Sequence, residues 1–338
     1  MRLIFLLTCL SVLVQHGSVC AEEIDSIIVR YERELKNAKK NLDVLTNKIF
    51  LEVAQKAAGT QGCDENKLYN EFYSRFGGRP VSAFAKEITE ENGFDLFSQS
   101  IDQSIYREFT FEEAPFLYLS IFGSTLRFDD VFLGVDKFTA FCEGRYRYFE
   151  QAYLNSEVTK DSGKGIEDEK VREVLSEGLR WEKGIKGAEA SGILSWSDLM
   201  ASYQGLRFWL HLTGKRSKTR SSPYFECKNE QWLLARPFKW SDYIDDSWDE
   251  WINCNTYKNE SLSKKVRFLQ AKLEKAYDRK YTCPVKPEKC KSLDGRYPEI
   301  SHYVLSPKCS GKRSLEGEGG GKSSWEKMLN SWKHLRGG

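Results

Sequence analysis

The sequence predicts a mainly α-helical protein, with a helical domain that carries one or two small β-hairpins. Most of the chain has apolar residues at helical spacing, beginning with a long run over residues 22–58. Two stretches instead alternate apolar and polar residues around a turn, "TLRFDDVFLG" at 125–134 and "YFECKNEQWLLARPF" at 224–238. Helical stretches cover far more of the chain, so we expect helices to build the fold.

The first predicted element is a long amphipathic helix within residues 22–62. Its apolar positions alternate spacings of four and three residues, which is a heptad pattern. These positions are Ile24, Ile28, Tyr31, Leu35, Ala38, Leu42, Leu45 and Ile49. We expect this face to pack along the parent domain, as in a helix bundle. Self-association through residues 24–49 is the alternative.

Residues 63–280 form the predicted helical domain. Helical spacing covers most of residues 66–122 and a stretch that begins at Asp136 and carries Cys142. It continues over 166–184, 195–212 and 262–280. The second hairpin is expected to turn at Lys228-Asn229. The stretch "WSDYIDDSWDEWINC" at 240–254 predicts a short helix, with Trp248 and Trp251 on one side and acidic residues on the other.

The N-terminus has the composition of a secretory signal peptide spanning residues 1–21. Arg2 precedes an apolar stretch, and Val19-Cys20-Ala21 fits a cleavage site after Ala21. We therefore expect a secreted or periplasmic protein. The formal net charge is +2, from 51 Lys plus Arg and 49 Asp plus Glu, so bulk charge gives no support to a nucleic-acid partner.

Cysteine usage agrees with export. Nine cysteines include two in the predicted signal peptide, which leaves seven, an odd number. Cys142 lies on the apolar stripe of its helix and is the expected free, buried thiol. Residues 281–310 form a Cys-containing extension, where a disulfide would restrain a segment with little core of its own. The sequence also contains the sequon Asn259-Glu260-Ser261, whose glycosylation depends on the host.

Residues 311–338 predict a flexible linker and a short amphipathic helix. "SGKRSLEGEGGGK" has linker composition. Residues 323–336 follow with Trp325, Trp332 and other apolar residues on one face and basic residues off it. Tryptophan with basic residues is typical of a helix on an anionic membrane surface, so this segment could bind a membrane or a protein partner. Docking on the protein's own core, or disorder, is the alternative.

A few polar residues beside apolar faces are candidates for a functional site. Asp136-Lys137 begins a helix, Glu182 lies on nearly the same helix face as the apolar Leu175, and Ser195-x-x-Asp198 begins another helix. Each has a structural explanation. Acidic and hydroxyl side chains cap helix N-termini, so Asp136 and Asp198 could act only as caps.

The order of these residues resembles a motif that is shared by the VanZ-like family and an uncharacterised family of secreted or periplasmic bacterial proteins. The matching stretches are "GVDKFTAFCEG", "SGILSWSDLMASYQGLRFW" and "RPFKWSDYIDDSWDEWINCNTY", within residues 75–257. The resemblance implies an exported envelope protein. It also implies a histidine at position 140, one helical turn after Asp136, where this chain has Ala140. A group that titrates near neutral pH is therefore missing.

Two functions follow from these residues. The first is a non-catalytic cell-envelope protein with a buried polar cluster of Asp136, Lys137, Glu182 and Asp198, because buried charges need partners. The alternative is a hydrolase of cell-wall glycan or lipid that uses Glu182 as general acid or base, with Asp198 or Asp136 as its partner. No motif predicts a cofactor.

The acidic run in "WSDYIDDSWDEW" offers carboxylates of a kind that calcium prefers. Its candidate ligands are Asp242, Asp245, Asp246 and Asp249, with Glu250 beside them. The run lacks the glycine and the alternating spacing of a calcium loop. We therefore expect a solvated helix face and no metal.

Overall fold

The computed structural model describes residues 25–58, 62–78, 81–90, 93–119, 123–144, 149, 166–184, 187–214 and 222–311. Helices dominate this part of the chain, and its strands form three two-stranded antiparallel sheets, which confirms the predicted fold class. None of the described helices is both long and apolar enough to cross a membrane. The predicted signal peptide and the predicted tail helix at 323–336 lie outside the described residues.

The first part of the described chain contains five α-helices before the first strand. They are α1 (Ser26–Glu32), α2 (Lys39–Ala58), α3 (Glu65–Phe76), α4 (Ala83–Glu90) and α5 (Pro115–Leu119). Asp25 and Asp64 cap α1 and α3, since their carboxylates accept backbone N–H groups of the first turn.

The single long helix predicted for residues 22–62 is wrong, because α1 and α2 are separated by an extended link. Arg33 ends α1 with extended backbone, φ −144° and ψ 130°. The Ala38 N–H donates to the Arg127 carbonyl at 2.8 Å, so the link satisfies its backbone against a strand instead of a helical turn. From Ile28 to Ile49 all heptad positions except Tyr31 are buried in the chain's own core, as packing along the parent domain predicts.

The second part of the chain alternates short strands with helices. Its elements are β1 (Thr125–Phe128), β2 (Val131–Gly134), α6 (Asp136–Thr139), α7 (Ile166–Lys183), α8 (Ala188–Ser191), β3 (Ile193–Leu194), α9 (Trp196–His211), β4 (Phe225–Lys228), β5 (Gln231–Leu234), β6 (Thr256–Tyr257), α10 (Glu260–Tyr277), α11 (Pro287–Arg296), α12 (Ser301–Val304) and α13 (Pro307–Ser310). After α6 the chain widens into a π-type turn over Ala140–Gly144.

Both predicted hairpins are present. In the first, Thr125 pairs with Gly134 and Phe128 with Val131. The second turns at Asn229-Glu230, one residue later than predicted, with φ angles of 50° and 62°. Asparagine tolerates this left-handed backbone better than most residues, which fits its place in a two-residue turn. A third pair, β3 with β6, links the start of α9 to the segment after Cys254.

Residues 240–254 do not form the predicted short helix. Two 3₁₀ turns, Trp240–Asp242 and Asp246–Trp248, are followed by further turns. Without a helix, this segment buries two of its acidic residues. Asp249 and Glu250 are 0% and 3% exposed, so the predicted solvated face is wrong for both of them.

The main core is rich in aromatic rings that come from distant parts of the chain. Phe50 of α2 packs on Phe238 at a ring-centroid distance of 5.3 Å, and Phe141 packs on Trp240 at 4.9 Å. A smaller second core lies between α1, residues 105–117 and α10. The buried rings bring α2, α9 and the 240s segment together, and this arrangement positions the polar site described below.

Within the described residues there are three disulfides: Cys63–Cys227, Cys254–Cys283 and Cys290–Cys309. Among the described cysteines, Cys142 is buried and takes part in none of these bridges, as predicted. The Cys290–Cys309 bridge ties α11 to α13, so a disulfide does restrain the Cys-containing extension. Disulfides of this number fit an oxidising compartment.

Candidate functional site

A buried lysine lies at the centre of three carboxylates. The Lys137 Nζ lies 2.6 Å from Asp136 Oδ2, 2.7 Å from Asp198 Oδ1 and 2.6 Å from Glu250 Oε1. The Lys137 side chain is 0% exposed, whereas those of Asp136, Asp198 and Glu250 are 8%, 22% and 1% exposed. We call these four residues the Lys137 cluster. It joins α6, the first turn of α9 and the turns after residue 248.

Asp136 does not act as the cap of its helix. The N-cap residue of α6 is Val135, which makes no side-chain cap hydrogen bond. The Asp136 carboxylate accepts from Lys137 through Oδ2, and its Oδ1 is buried without a hydrogen-bond donor among the described residues. The Asp-Lys pair that opens this helix is therefore part of a tertiary ion cluster.

Glu250 is held from two sides. Its Oε2 accepts from Asn255 Nδ2 at 2.9 Å, and its Oε1 accepts from the hydroxyls of Ser195 and Ser197 at 3.4 and 3.5 Å. These contacts fix the carboxylate against the N-terminus of α9. A buried carboxylate with this many donors is held in one orientation, which keeps Lys137 in place.

Ser195 caps α9, and the side chain of Asp198 does not take part in the cap. The Ser195 Oγ accepts from the Asp198 N–H at 3.3 Å, while the Asp198 carboxylate turns to Lys137. The Ser195 N–H donates instead to Glu182 Oε1 at 3.3 Å. Glu182 thus completes the cap from another helix, and Ser195 connects Glu182 with the Lys137 cluster.

The predicted membership of Glu182 in the polar cluster is wrong, because Glu250 takes that place. A neighbouring glycine helps to hold Glu182 at the cap. A Cβ on Gly187 would lie 2.2 Å from the Glu182 carbonyl oxygen and 2.7 Å from its Oε1. Only a residue without a side chain lets the chain pass this close.

The Lys137 cluster carries more acid groups than basic groups. Burial raises the pKa of Asp136 well above its ordinary value, and the carboxylates of Asp198 and Glu250 raise it further, against the attraction of Lys137. Burial also raises the pKa of Glu250, again with Lys137 opposing. Asp136 and Glu250 therefore take up protons at a higher pH than free carboxyl groups do.

The three carboxylates have the spacing of a cation site, and the lysine supplies the cation. One oxygen from each of Asp136, Asp198 and Glu250 can be chosen so that all three lie within 4.8 Å of one another. A divalent metal would need the same central position that the Lys137 ammonium occupies. In this arrangement the cluster carries its own positive charge.

Asp249, the residue before Glu250 of the Lys137 cluster, belongs to a separate buried ion pair. Asp249 binds Arg30 of α1, and their side chains are 0% and 8% exposed. Asp249 also accepts the N–H groups of Phe132 at 3.2 Å and Trp251 at 3.0 Å, and the Arg30 guanidinium lies 4.5 Å from the centre of the Phe132 ring. Consecutive acids, Asp249 and Glu250, thus each hold one buried cation.

The rest of the acidic run does not converge on a metal position. Asp242 pairs with Arg236 at 3.3 Å. Asp246 pairs with Lys289 at 2.8 Å. Asp245 binds Arg296 at 2.8 Å and the Tyr297 hydroxyl at 2.6 Å. Each of these acids has its own basic partner.

Sequence reasoning placed Glu250 only in the acidic run and missed its part in the Lys137 cluster, and it missed Ser197 and Asn255 altogether. A signal was available for Glu250, since it stands with Asp249 between Trp248 and Trp251 in "SWDEW". Large aromatic neighbours on both sides indicate an interior segment, and an acid in such a segment needs a buried partner. Ser197 and Asn255 carried no comparable signal, because small polar residues are common at helix starts and in turns.

The position that the resemblance assigns to histidine lies at the edge of the core. Ala140 is half-buried at the end of α6 and packs against the main core. Its N–H donates to the carbonyls of Asp136 and Lys137. Since alanine offers neither a proton nor a ligand atom, this position contributes packing alone.

Two clefts in the described part of the chain lie away from the Lys137 cluster. One, of about 370 Å³, is lined by residues of α1, the first hairpin and Val285-Lys286. The other, of about 420 Å³, is lined by residues of α9, the 241–245 turn and Arg296-Tyr297. Neither cleft is lined by Asp136, Lys137 or Glu250, so neither opens onto the cluster.

Comparisons with known proteins identify no relative: no family model, no curated protein and no solved structure matches this chain. The resemblance to the VanZ-like motif therefore stays a prediction.

Proposed function

We propose that this chain is an exported, non-catalytic protein of the cell envelope, secreted or periplasmic, whose signal peptide is removed after Ala21. The composition of residues 1–21 supports export. Three disulfides support an oxidising destination. The Lys137 cluster has a structural role in this proposal, since it joins segments that are distant in the sequence.

One observation carries the non-catalytic part of the proposal. The Lys137 ammonium is fully buried and lies within 2.7 Å of three carboxylate oxygens. A catalytic acid, base or nucleophile must reach its substrate, either directly or through one water. Here the charged groups are committed to one another, and only the Asp198 edge is appreciably exposed, at 22%.

The proposal is tested by isosteric substitution of the cluster. Asp198→Asn keeps the size of the side chain and removes one negative charge. We expect the purified mature protein to show no clearing on a peptidoglycan zymogram, and Asp198→Asn to alter thermal stability alone. Clearing by the wild type that disappears in Asp198→Asn, with the fold intact, would contradict a structural role.

A hydrolase of cell-wall glycan or lipid is the second candidate. The raised pKa values of Asp136 and Glu250 favour it, because perturbed carboxyl pKa values are common at active sites. Paired carboxylates can cleave glycosidic bonds without histidine. Glu182, the predicted acid or base, is tested by Glu182→Gln, which still accepts the Ser195 N–H. Loss of clearing in this variant at unchanged melting temperature would support the hydrolase.

Contacts with partners are also proposals. Residues 323–336 could dock on a membrane or on another protein, as their composition predicts. Self-association through residues 24–49 has less support, because Leu35, Leu42 and Ile49 of the heptad face are each 0% exposed within the chain. A mature protein that is monomeric by light scattering would remove the self-association proposal.

A further inference from the structure

Asn259 begins the only Asn-X-Ser/Thr sequon of the 338-residue chain, Asn259-Glu260-Ser261. Such a sequon is used only if the asparagine lies at the surface and reaches the glycosylating enzyme. All three residues of this sequon are exposed. The motif therefore meets the first structural condition for an attached glycan.

The asparagine side chain is divided between two roles. Its Oδ1 accepts the Leu262 N–H at 3.0 Å, which makes Asn259 the N-cap of α10. Its Nδ2 donates no hydrogen bond within the described part of the chain. The backbone is extended, with φ −152° and ψ 169°. The cap therefore uses the side-chain carbonyl oxygen of Asn259 and leaves its amide nitrogen, Nδ2, accessible for attachment of a sugar.

The surroundings leave room for a large substituent. Lys258 and Lys264 are exposed on either side of the sequon. Glu260 pairs with Arg267 along the same helix, so it does not cover Asn259. A sugar on Nδ2 extends into solvent from the end of α10 and leaves the cap bond intact, because the glycosidic linkage does not use Oδ1.

The disulfides give an independent indication of the compartment. Cys254 lies five residues before Asn259 in the sequence and is bonded to Cys283, so the sequon lies inside the loop that this bridge closes. Disulfides of secreted eukaryotic proteins form in the lumen of the endoplasmic reticulum. N-linked glycans are attached in that compartment as well. A chain that acquires this bridge there passes the glycosylating enzyme on the same route.

From these observations we propose that Asn259 is an N-glycosylation site that is occupied when the chain enters a eukaryotic-type secretory pathway. The donor is an oligosaccharide linked through pyrophosphate to a lipid. The Asn259 Nδ2 forms a bond to C1 of the first sugar, and the bond from C1 to the pyrophosphate oxygen breaks. The lipid pyrophosphate leaves with the bonding electrons, and a base of the transferase takes one amide proton. The reaction involves no oxidation or reduction.

The proposal rests on the export part of the proposed function. Two versions of the full chain separate the two ideas, one with its own residues 1–21 and one with a heterologous signal peptide in their place. Both are produced in cultured insect cells. If only the version with its own leader stays inside the cells and unmodified, export by that leader is contradicted while the glycosylation site stands.

The site itself is tested on the secreted version with the heterologous signal peptide. Asn259→Asp keeps a good N-cap and cannot be glycosylated. Ser261→Ala removes only an exposed hydroxyl, and Ser261→Thr retains one. We expect the wild type and Ser261→Thr to migrate more slowly than Asn259→Asp and Ser261→Ala, and to reach their mobility after treatment with a peptide amidase. Amidase release should leave aspartate at position 259 by mass spectrometry. A secreted wild-type protein with unmodified Asn259 overturns the proposal.

Discussion

Removal of the Lys137 ammonium should destabilise this protein by an amount that grows with pH. In Lys137→Met, the buried carboxylates of Asp136 and Glu250 and the partly exposed carboxylate of Asp198 remain within 4.8 Å of one another without a cation. Removing one partner of a buried ion pair costs about 3–5 kcal/mol. An unfolding entropy of about 2.1 cal/mol/K per residue corresponds to roughly 1.5 °C of melting temperature per kcal/mol for a chain of about 300 residues, so the expected drop at pH 7 is roughly 5–8 °C.

The pH dependence follows from the direction of the pKa shifts. The pKa values of Asp136 and Glu250 are already raised by burial, and Lys137 opposes that rise. Without Lys137 they rise further, so the folded state binds more protons than the unfolded chain over a wider range above pH ~4. Stability then falls as pH rises. If two carboxyl groups take part, the slope is about 2.7 kcal/mol per pH unit.

The assay is urea unfolding of the mature protein at several pH values between 5 and 8. Lys56→Met is the matched control, because Lys56 pairs with Glu71 at 3.4 Å and its side chain is 59% exposed. A surface pair of this kind contributes about 0–1 kcal/mol. The double variant Lys137→Met/Glu250→Gln should recover part of the loss and show a shallower slope. Lys137→Met with wild-type stability at pH 7, or with a loss independent of pH, would refute the reasoning.

Three further predictions concern other parts of the chain. Burial lowers the pKa of His211 to about 4. The neutral His211 side chain therefore contributes its full stability above pH ~6.5, and this stability is lost as pH falls toward 4. An NMR titration midpoint of His211 near pH ~6.5 in the folded protein would contradict this. Gly205→Ala places a Cβ 2.0 Å from the Phe141 carbonyl oxygen and should cost about 1–3 kcal/mol in urea unfolding, whereas Gly295→Ala, with open space around it, should be neutral or stabilising. In vesicle flotation with anionic lipids, the mature protein should float more than a version ending at Lys312, and equal flotation would remove the predicted membrane role of the tail.

Local patterns predicted the helices and hairpins because their causes lie within short segments. The Ser195 cap, the first hairpin and the buried Cys142 all follow from spacing and residue type. The break after α1 could not be predicted in this way. The link from Arg33 to Ala38 is not helical, because the Ala38 N–H donates to the carbonyl of Arg127, a residue distant in the sequence.

The candidate site was predicted in part. Asp136, Lys137 and Asp198 do converge, and the sequence placed each of them beside an apolar helix face. Sequence reasoning chose Glu182 as the glutamate of the cluster, whereas the tertiary fold puts Glu250 there. Only the packing of the turns after Trp248 against α9 decides that Glu250 binds Lys137.

The most direct test of the structural role is the solvent exchange of the Lys137 ammonium, measured by ¹⁵N NMR on the side-chain nitrogen. Ammonium protons of exposed lysines exchange with water quickly near neutral pH. A fully buried ammonium held by Asp136, Asp198 and Glu250 should exchange far more slowly, so we expect a Lys137 signal that persists at pH 7 and is absent from Lys137→Met. A Lys137 ammonium that exchanges as fast as that of an exposed lysine such as Lys56 would show an open site and contradict the account.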